Sequence, residues 1–211
     1  MTSDERMVTI APDGEGEVLE GLFLSGPSSH GVVMAPPHPL YGGSMDSPVV
    51  NEVAYAAGKN GLASLRFNWR GVGASAGERS GEAEHADADY RAALTHLAET
   101  VSGKLIVAGY SFGSVAALRA AARESRVAGV VLVAPPPSYF PDDALRTLEA
   151  PCLVIAAEHD DIAPLEEIEA RCAAAPQAVC DVIEDADHFF SSGLGGVARS
   201  ATRWFERFGD G

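Results

Sequence analysis

The sequence predicts an α/β fold, a mostly parallel central sheet with helices on both faces, and three features predict it. Short runs of Val, Leu, Ile and Ala alternate with longer segments of helical period. From His30 onward these runs are apolar along nearly their whole length, the pattern of strands covered on both sides. No repeat, low-complexity tract or linker interrupts the 211 residues, so residues 1–211 are expected to form one domain.

Taken in order, Met7 to Ala11 and Val18 to Leu24 read as an antiparallel edge, each bounded by short turns. His30 to Ala35 is the next strand. Ser47-Pro48 then offers an N-cap followed by proline at the first helical position, where a missing N–H costs nothing. Gly58 and Gly61 end that helix, and Leu62 to Phe67 follows as a strand. Ala83, Ala86, Tyr90, Ala93, Leu94 and Leu97 recur at helical spacing, with Glu82 and Glu84 at the start, where acidic side chains favour the helix dipole. Strands are then expected over Lys104 to Ala108, Val127 to Ala134, Cys152 to Ala157 and Ala178 to Ile183. A helical segment containing Val115 to Leu118 follows the first of these, and Pro164 opens another helix after the third. Val197, Ala201, Trp204, Phe205 and Phe208 give the last helix an apolar face whose aromatic stripe is core packing.

Charge and composition exclude several classes of function. The net charge is −15 and only two lysines occur, Lys59 and Lys104, so no basic surface is available for nucleic-acid backbone. The longest apolar stretches, such as Gly129 to Ala134, fall far short of the ~20 residues that span a bilayer. Met1 to Ile10 carries Asp4, Glu5 and Arg6 and does not read as a secretion signal. Cys152, Cys172 and Cys180 have no metal-ligand spacing and read as buried thiols of a reducing compartment, although Cys172 and Cys180 flank a turn around Pro176 across which they could pair. The expectation is a soluble cytoplasmic protein without metal or organic cofactor.

Gly109-Tyr110-Ser111-Phe112-Gly113 matches G-x-S-x-G, and so does Gly73-Ala74-Ser75-Ala76-Gly77. Context separates them. A nucleophile elbow needs a strand running straight into the serine and a helix leaving it at once. Ser111 has both, whereas Ser75 lies several residues beyond the end of its strand and well before the next helix. Ser111 is therefore the expected nucleophile and Ser75 a loop residue.

A serine hydroxyl near neutral pH needs a base, and the base needs orienting. On a sheet of this kind the partners follow in the order serine, acid, histidine. His188, in the loop between the last strand and the last helix, sits where strand C-termini gather and is the expected base. His85 and His96 fall on the polar side of a helix, His30 begins a strand, and His38 is read as shaping its turn. Glu158-His159-Asp160-Asp161 follows a strand, with Asp160 favoured over Asp161 as the orienting acid and Asp142 or Asp143 a third choice. For the developing oxyanion, the Phe112 amide is one expected donor. Another should come from the loop Pro36 to Gly43, where Pro39 has no N–H and Leu40 is the first candidate, with Tyr41 as alternate.

With these residues in place the chain resembles the small, lidless bacterial α/β-hydrolases of the dienelactone-hydrolase-like group. The matching segments are Pro37 to Asp46, Arg66 to Ser75, the elbow at Ser111, and Asp187 to Phe190, within a similarity running from about Glu17 to Phe208. Dienelactone hydrolase itself uses a cysteine nucleophile where this chain has Ser111, so its substrate does not carry over. The resemblance implies an α/β-hydrolase fold and hydrolysis of carboxylic esters. Only Pro135 to Pro151 separate two strands at the place where a cap domain would be inserted, too few residues for one. An open site for small or medium esters, thioesters or lactones is expected, with Tyr41, Tyr139 and Phe140 as candidate substrate contacts. Arg70 is read as anchoring its loop by hydrogen bonds, with substrate contact as the alternative. Two other readings keep their place: transfer of the acyl group to another acceptor or ring closure by the same triad, and a non-catalytic binding scaffold.

Overall fold

Eight strands form one sheet in the computed structural model, which describes residues 5–11 and 17–209. In chain order they are β1 (Glu5–Ile10), β2 (Leu19–Leu24), β3 (Gly31–Ala35), β4 (Ala63–Phe67), β5 (Leu105–Tyr110), β6 (Val127–Val133), β7 (Cys152–Ala157) and β8 (Ala178–Ile183). The spatial order is β1-β2-β4-β3-β5-β6-β7-β8. β1 pairs antiparallel with β2, and β2 antiparallel with β4; every later pairing is parallel.

Among the described residues five α-helices cover the sheet: α1 (Pro48–Lys59), α2 (Ala83–Thr100), α3 (Phe112–Ala121), α4 (Leu165–Ala173) and α5 (Leu194–Phe205). The inner strands alternate between two cores. Val33, Leu105 and Val107 point toward α2 and α3, while Val32, Met34, Ile106 and Ala108 point toward α1 and α5. Successive side chains of a strand leave on opposite faces, and here both faces are buried, which is why these segments lack polar alternation.

Two details position the site. β3 has β4 on one side and β5 on the other, so the chain's progress across the sheet reverses between β3 and β5. Loops leaving the C-terminal ends of strands at such a switch point enclose a crevice. Also, β5 continues to Tyr110, two residues beyond its apolar run, and α3 begins at Phe112. Gly109 interrupts the hydrophobic pattern because a side chain there would strike the backbone of Gly113, not because the strand has ended.

Between β6 and β7 lies a 3-10 turn, Pro137–Tyr139, and no α-helix. The C-terminal edge of the sheet is therefore uncovered on that side. No helix among the described residues is long and apolar enough to cross a membrane.

Candidate active site

Ser111 occupies the one-residue turn between β5 and α3 with φ 52° and ψ −120°, a conformation that costs an L-residue energy and persists only where its surroundings enforce it. Its amide donates to the Val133 carbonyl at 2.8 Å, tying the elbow to the neighbouring strand. A Cβ at Gly113 would meet the carbonyls of Ala35 and Pro36, so glycine there lets α3 approach β3.

The relay is completed from two other strand ends. His188 Nε2 lies 3.0 Å from Ser111 Oγ, and His188 Nδ1 lies 2.7 Å from Asp160 Oδ2. Asp160 is buried immediately beyond β7, and its Oδ1 accepts the amides of Ile162 at 2.8 Å and Ala163 at 2.7 Å. These contacts aim its other oxygen at the imidazole. Asp161, its neighbour, is exposed, and it is Asp160 that the ring nitrogen engages.

Two further residues hold the His188 loop. The Tyr110 hydroxyl donates to the His188 carbonyl at 2.8 Å. Burial, with the charges of Asp160 and Asp187 adding to it, pushes the Tyr110 phenol up from its ordinary value, so it remains a donor. Asp187 accepts the amides of Ser191 and Phe189 and the Ser191 hydroxyl. The Ser191 amide is the largest cause holding its carboxyl below the usual range. In the sequence both residues stand only as members of matched segments, with no role of their own. The motif x position says nothing of where a hydroxyl points, but an Asx-type acceptor two and four residues before exposed amides is a signal that sequence can carry.

The amides expected to receive an oxyanion lie at the start of α3 and in the turn that follows β3. Phe112 is the first residue of α3, where an amide has no intrahelical acceptor. On the β3 side, Tyr41 and Gly43 donate to the His38 carbonyl, at 3.1 and 3.0 Å. Leu40 donates to His38 Nδ1 at 3.2 Å, and its side chain is exposed. His38 thus caps the 3-10 turn Pro39–Tyr41, and its ring packs 4.5 Å from that of Phe112. Partial burial lowers its pKa and favours the neutral imidazole.

A cleft of about 720 Å³ opens over Ser111. Tyr41, Tyr139, Ile162 and Phe189 stand around it and are all substantially exposed. Phe140 is not among the lining residues: it is buried under the Arg171 guanidinium, 4.6 Å from its ring centre. The 3-10 turn sends Tyr139 to the cleft and Phe140 to the core. Ser75 accepts the Glu20 amide and donates to the Asn68 carbonyl, both at 2.9 Å, and so pins a loop. Arg70 binds Asp89 through its backbone amide and its guanidinium, at 2.6–3.2 Å. Glu158, His159 and Asp185 bring two carboxylates and an imidazole within 4.8 Å of one another, but all three are exposed and Glu158 already accepts the Asp185 amide.

Comparison with known proteins bears on this geometry. A family model described as an alpha/beta hydrolase domain matches residues 41–196. The chain belongs to the α/β-hydrolase family. A solved structure of an alpha-beta serine hydrolase homologue from Coxiella burnetii is 29% identical, with a TM-score of 0.85 over 96% of this chain and 97% of that one. One from Xanthomonas campestris, described as an α/β serine hydrolase without lid, is 25% identical, with a TM-score of 0.85 over 100% of this chain and 98% of that one. An uncharacterized protein of Rickettsia prowazekii is 28% identical over 195 residues, covering 85% of this chain and 79% of its own length. With its uncovered sheet edge, this chain is a lidless member of the α/β-hydrolases, and the dienelactone-hydrolase-like grouping is compatible with these neighbours.

Proposed function

We propose that this α/β-hydrolase is a serine esterase that cleaves carboxylic esters, thioesters or lactones of small to medium size through an acyl-enzyme. The observation that carries the reading is the continuous contact from Ser111 Oγ through His188 to Asp160, at 3.0 and 2.7 Å. Ser111 Oγ attacks the carbonyl carbon as His188 Nε2 takes its proton. Asp160 keeps the Nδ1 proton in place and offsets the imidazolium charge. The tetrahedral oxyanion rests on the Phe112 amide and on that of Leu40, which gives up a neutral ring nitrogen for a charged oxygen, the stronger acceptor. His188 then protonates the leaving alcohol or thiol. Water enters with the same base, and the acyl–oxygen bond to Ser111 breaks to release the acid.

The serine-hydrolase descriptions of the Coxiella and Xanthomonas relatives support the same chemistry. Three free cysteines fit a reducing compartment, and we place the enzyme in the cytoplasm. The test is labelling by a fluorophosphonate together with hydrolysis of p-nitrophenyl acetate. Both should occur in the native chain and be lost in Ser111→Ala. Folded native protein that neither labels nor turns over would overturn the proposal. Product partition between water and an added alcohol acceptor distinguishes hydrolysis from acyl transfer.

A further inference from the structure

Building on the esterase reading, we propose that the cleft selects esters whose far end is neutral or cationic, and that Asp46 is the residue setting this preference. Asp46 is exposed on the cleft wall beside Ser44 and Ser47. Among the described residues no Lys or Arg lines the cleft and no ion pair engages the Asp46 carboxylate. For His38, the histidine on the cleft wall outside the Ser111–His188–Asp160 contacts, partial burial favours the neutral form.

A substrate carboxylate would find no cation to receive it. It would enter against the Asp46 charge and against a chain whose net charge is −15. An ammonium group would meet the opposite situation. It would be drawn to Asp46, with the exposed rings of Tyr41, Tyr139 and Phe189 offering their negative faces. The carboxylate also stands just before the Ser47 N-cap of α1, where it offsets the helix dipole, so replacing it lowers stability as well.

One exposed charge pair changes an association by roughly 1.5–5-fold. Attraction of a cation and repulsion of an anion compound, which gives about a tenfold ratio between the two.

The experiment uses three p-nitrophenyl esters with acyl chains of equal length ending in trimethylammonium, tert-butyl or carboxylate. Each kcat/KM is divided by the ester's uncatalysed rate. At low salt the cationic ester should exceed the anionic one by about tenfold, with the neutral ester between them. Asp46→Asn should reduce that ratio to about twofold, Asp46→Lys should reverse it, and ~0.5 M salt should compress it in the native chain. A ratio measured within one preparation is unaffected by loss of folded protein. Equal ratios in the native chain and Asp46→Asn, or a native preference for the carboxylate ester, would overturn the assignment. If even the tert-butyl ester is not cleaved, it is the underlying esterase reading that fails.

Discussion

Replacing Asp160 by Asn changes one atom in the best-defined part of the site, and its consequence can be worked out contact by contact. An asparagine side-chain oxygen can still accept the amides of Ile162 and Ala163, which hold Asp160 Oδ1 at 2.8 and 2.7 Å. The NH₂ group then faces His188 Nδ1, where the carboxylate oxygen stood at 2.7 Å. A donor in that place requires Nδ1 to be an acceptor, so the ring proton moves to Nε2, the atom that must take the Ser111 proton. The base is switched off while the fold remains. The loss of carboxylate in a Ser-His-Asp relay by this route reduces kcat about 10⁴-fold, or roughly 5.4 kcal/mol of transition-state stabilisation. Initial rates on p-nitrophenyl acetate measure it, with urea unfolding as a control for stability. Asp161→Asn, made in parallel, should keep at least half the activity because that side chain is exposed. The reasoning is refuted if Asp160→Asn retains more than a tenth of native turnover while Asp161→Asn abolishes it.

Two more perturbations test what holds the site in place. Tyr110→Phe removes the donor to the His188 carbonyl and leaves that buried oxygen unpaired, which should cost about 1–3 kcal/mol in urea unfolding and lower kcat/KM about tenfold as the imidazole drifts; unchanged kinetics would show that the loop is fixed by Asp187 alone. Asp89→Ala leaves the Arg70 guanidinium and amide without their shared acceptor. Because Asp89 is almost fully buried but Arg70 is 22% exposed on its side chain, the cost should fall at the low end of a broken buried pair, about 3 kcal/mol, or roughly 6–12 °C in Tm by scanning fluorimetry. A shift under 2 °C would show that solvent replaces the pair.

How legible each part was in the sequence follows from what kind of force fixes it. The elbow is set by backbone sterics, and sterics write themselves into residue types: Gly109 and Gly113 are required because neighbouring backbone occupies the space of their side chains. The glycines do not separate Ser111 from Ser75, since both motifs carry them; what does is the strand running into Ser111 and the helix leaving it, whereas Ser75 sits among hydrogen bonds that any loop serine could make. The doubly covered strands were legible for a similar reason, since burial on both faces removes polar residues from both. The contact made by the Leu40 amide, the first donor candidate in its loop, was not legible in this way. Its partner is a ring nitrogen two residues earlier, a contact decided by one side-chain torsion of His38. Nor was the division between Tyr139 and Phe140, adjacent aromatic residues that a single 3-10 turn sends to opposite environments. Asp46 looked like one more acidic residue in an acidic chain. Its meaning depends on which other residues share the cleft wall, and that is a property of the fold, not of the local sequence.

The open sheet edge divides the site into two electrostatic regimes. Below, the Asp160 side chain has 0% exposure and that of His188 7%, so their interaction is screened weakly and depends on fixed geometry. Above, the rim residues stand in water, with Tyr41 86% and Phe189 68% exposed, and charges there are screened by ions. A cap domain would merge the two by excluding water from both. Without one, the acid–base relay and the choice of substrate respond to different variables: the first to single-atom changes such as Asp160→Asn, the second to ionic strength. It follows that added salt should leave turnover of a neutral ester nearly constant while it erodes discrimination between charged ones. On the proposed reading, an uncovered α/β-hydrolase of this kind owes its rate to buried contacts and only a modest selectivity to its surface, roughly 1.5–5-fold for each exposed charge pair and about tenfold between a cationic and an anionic ester.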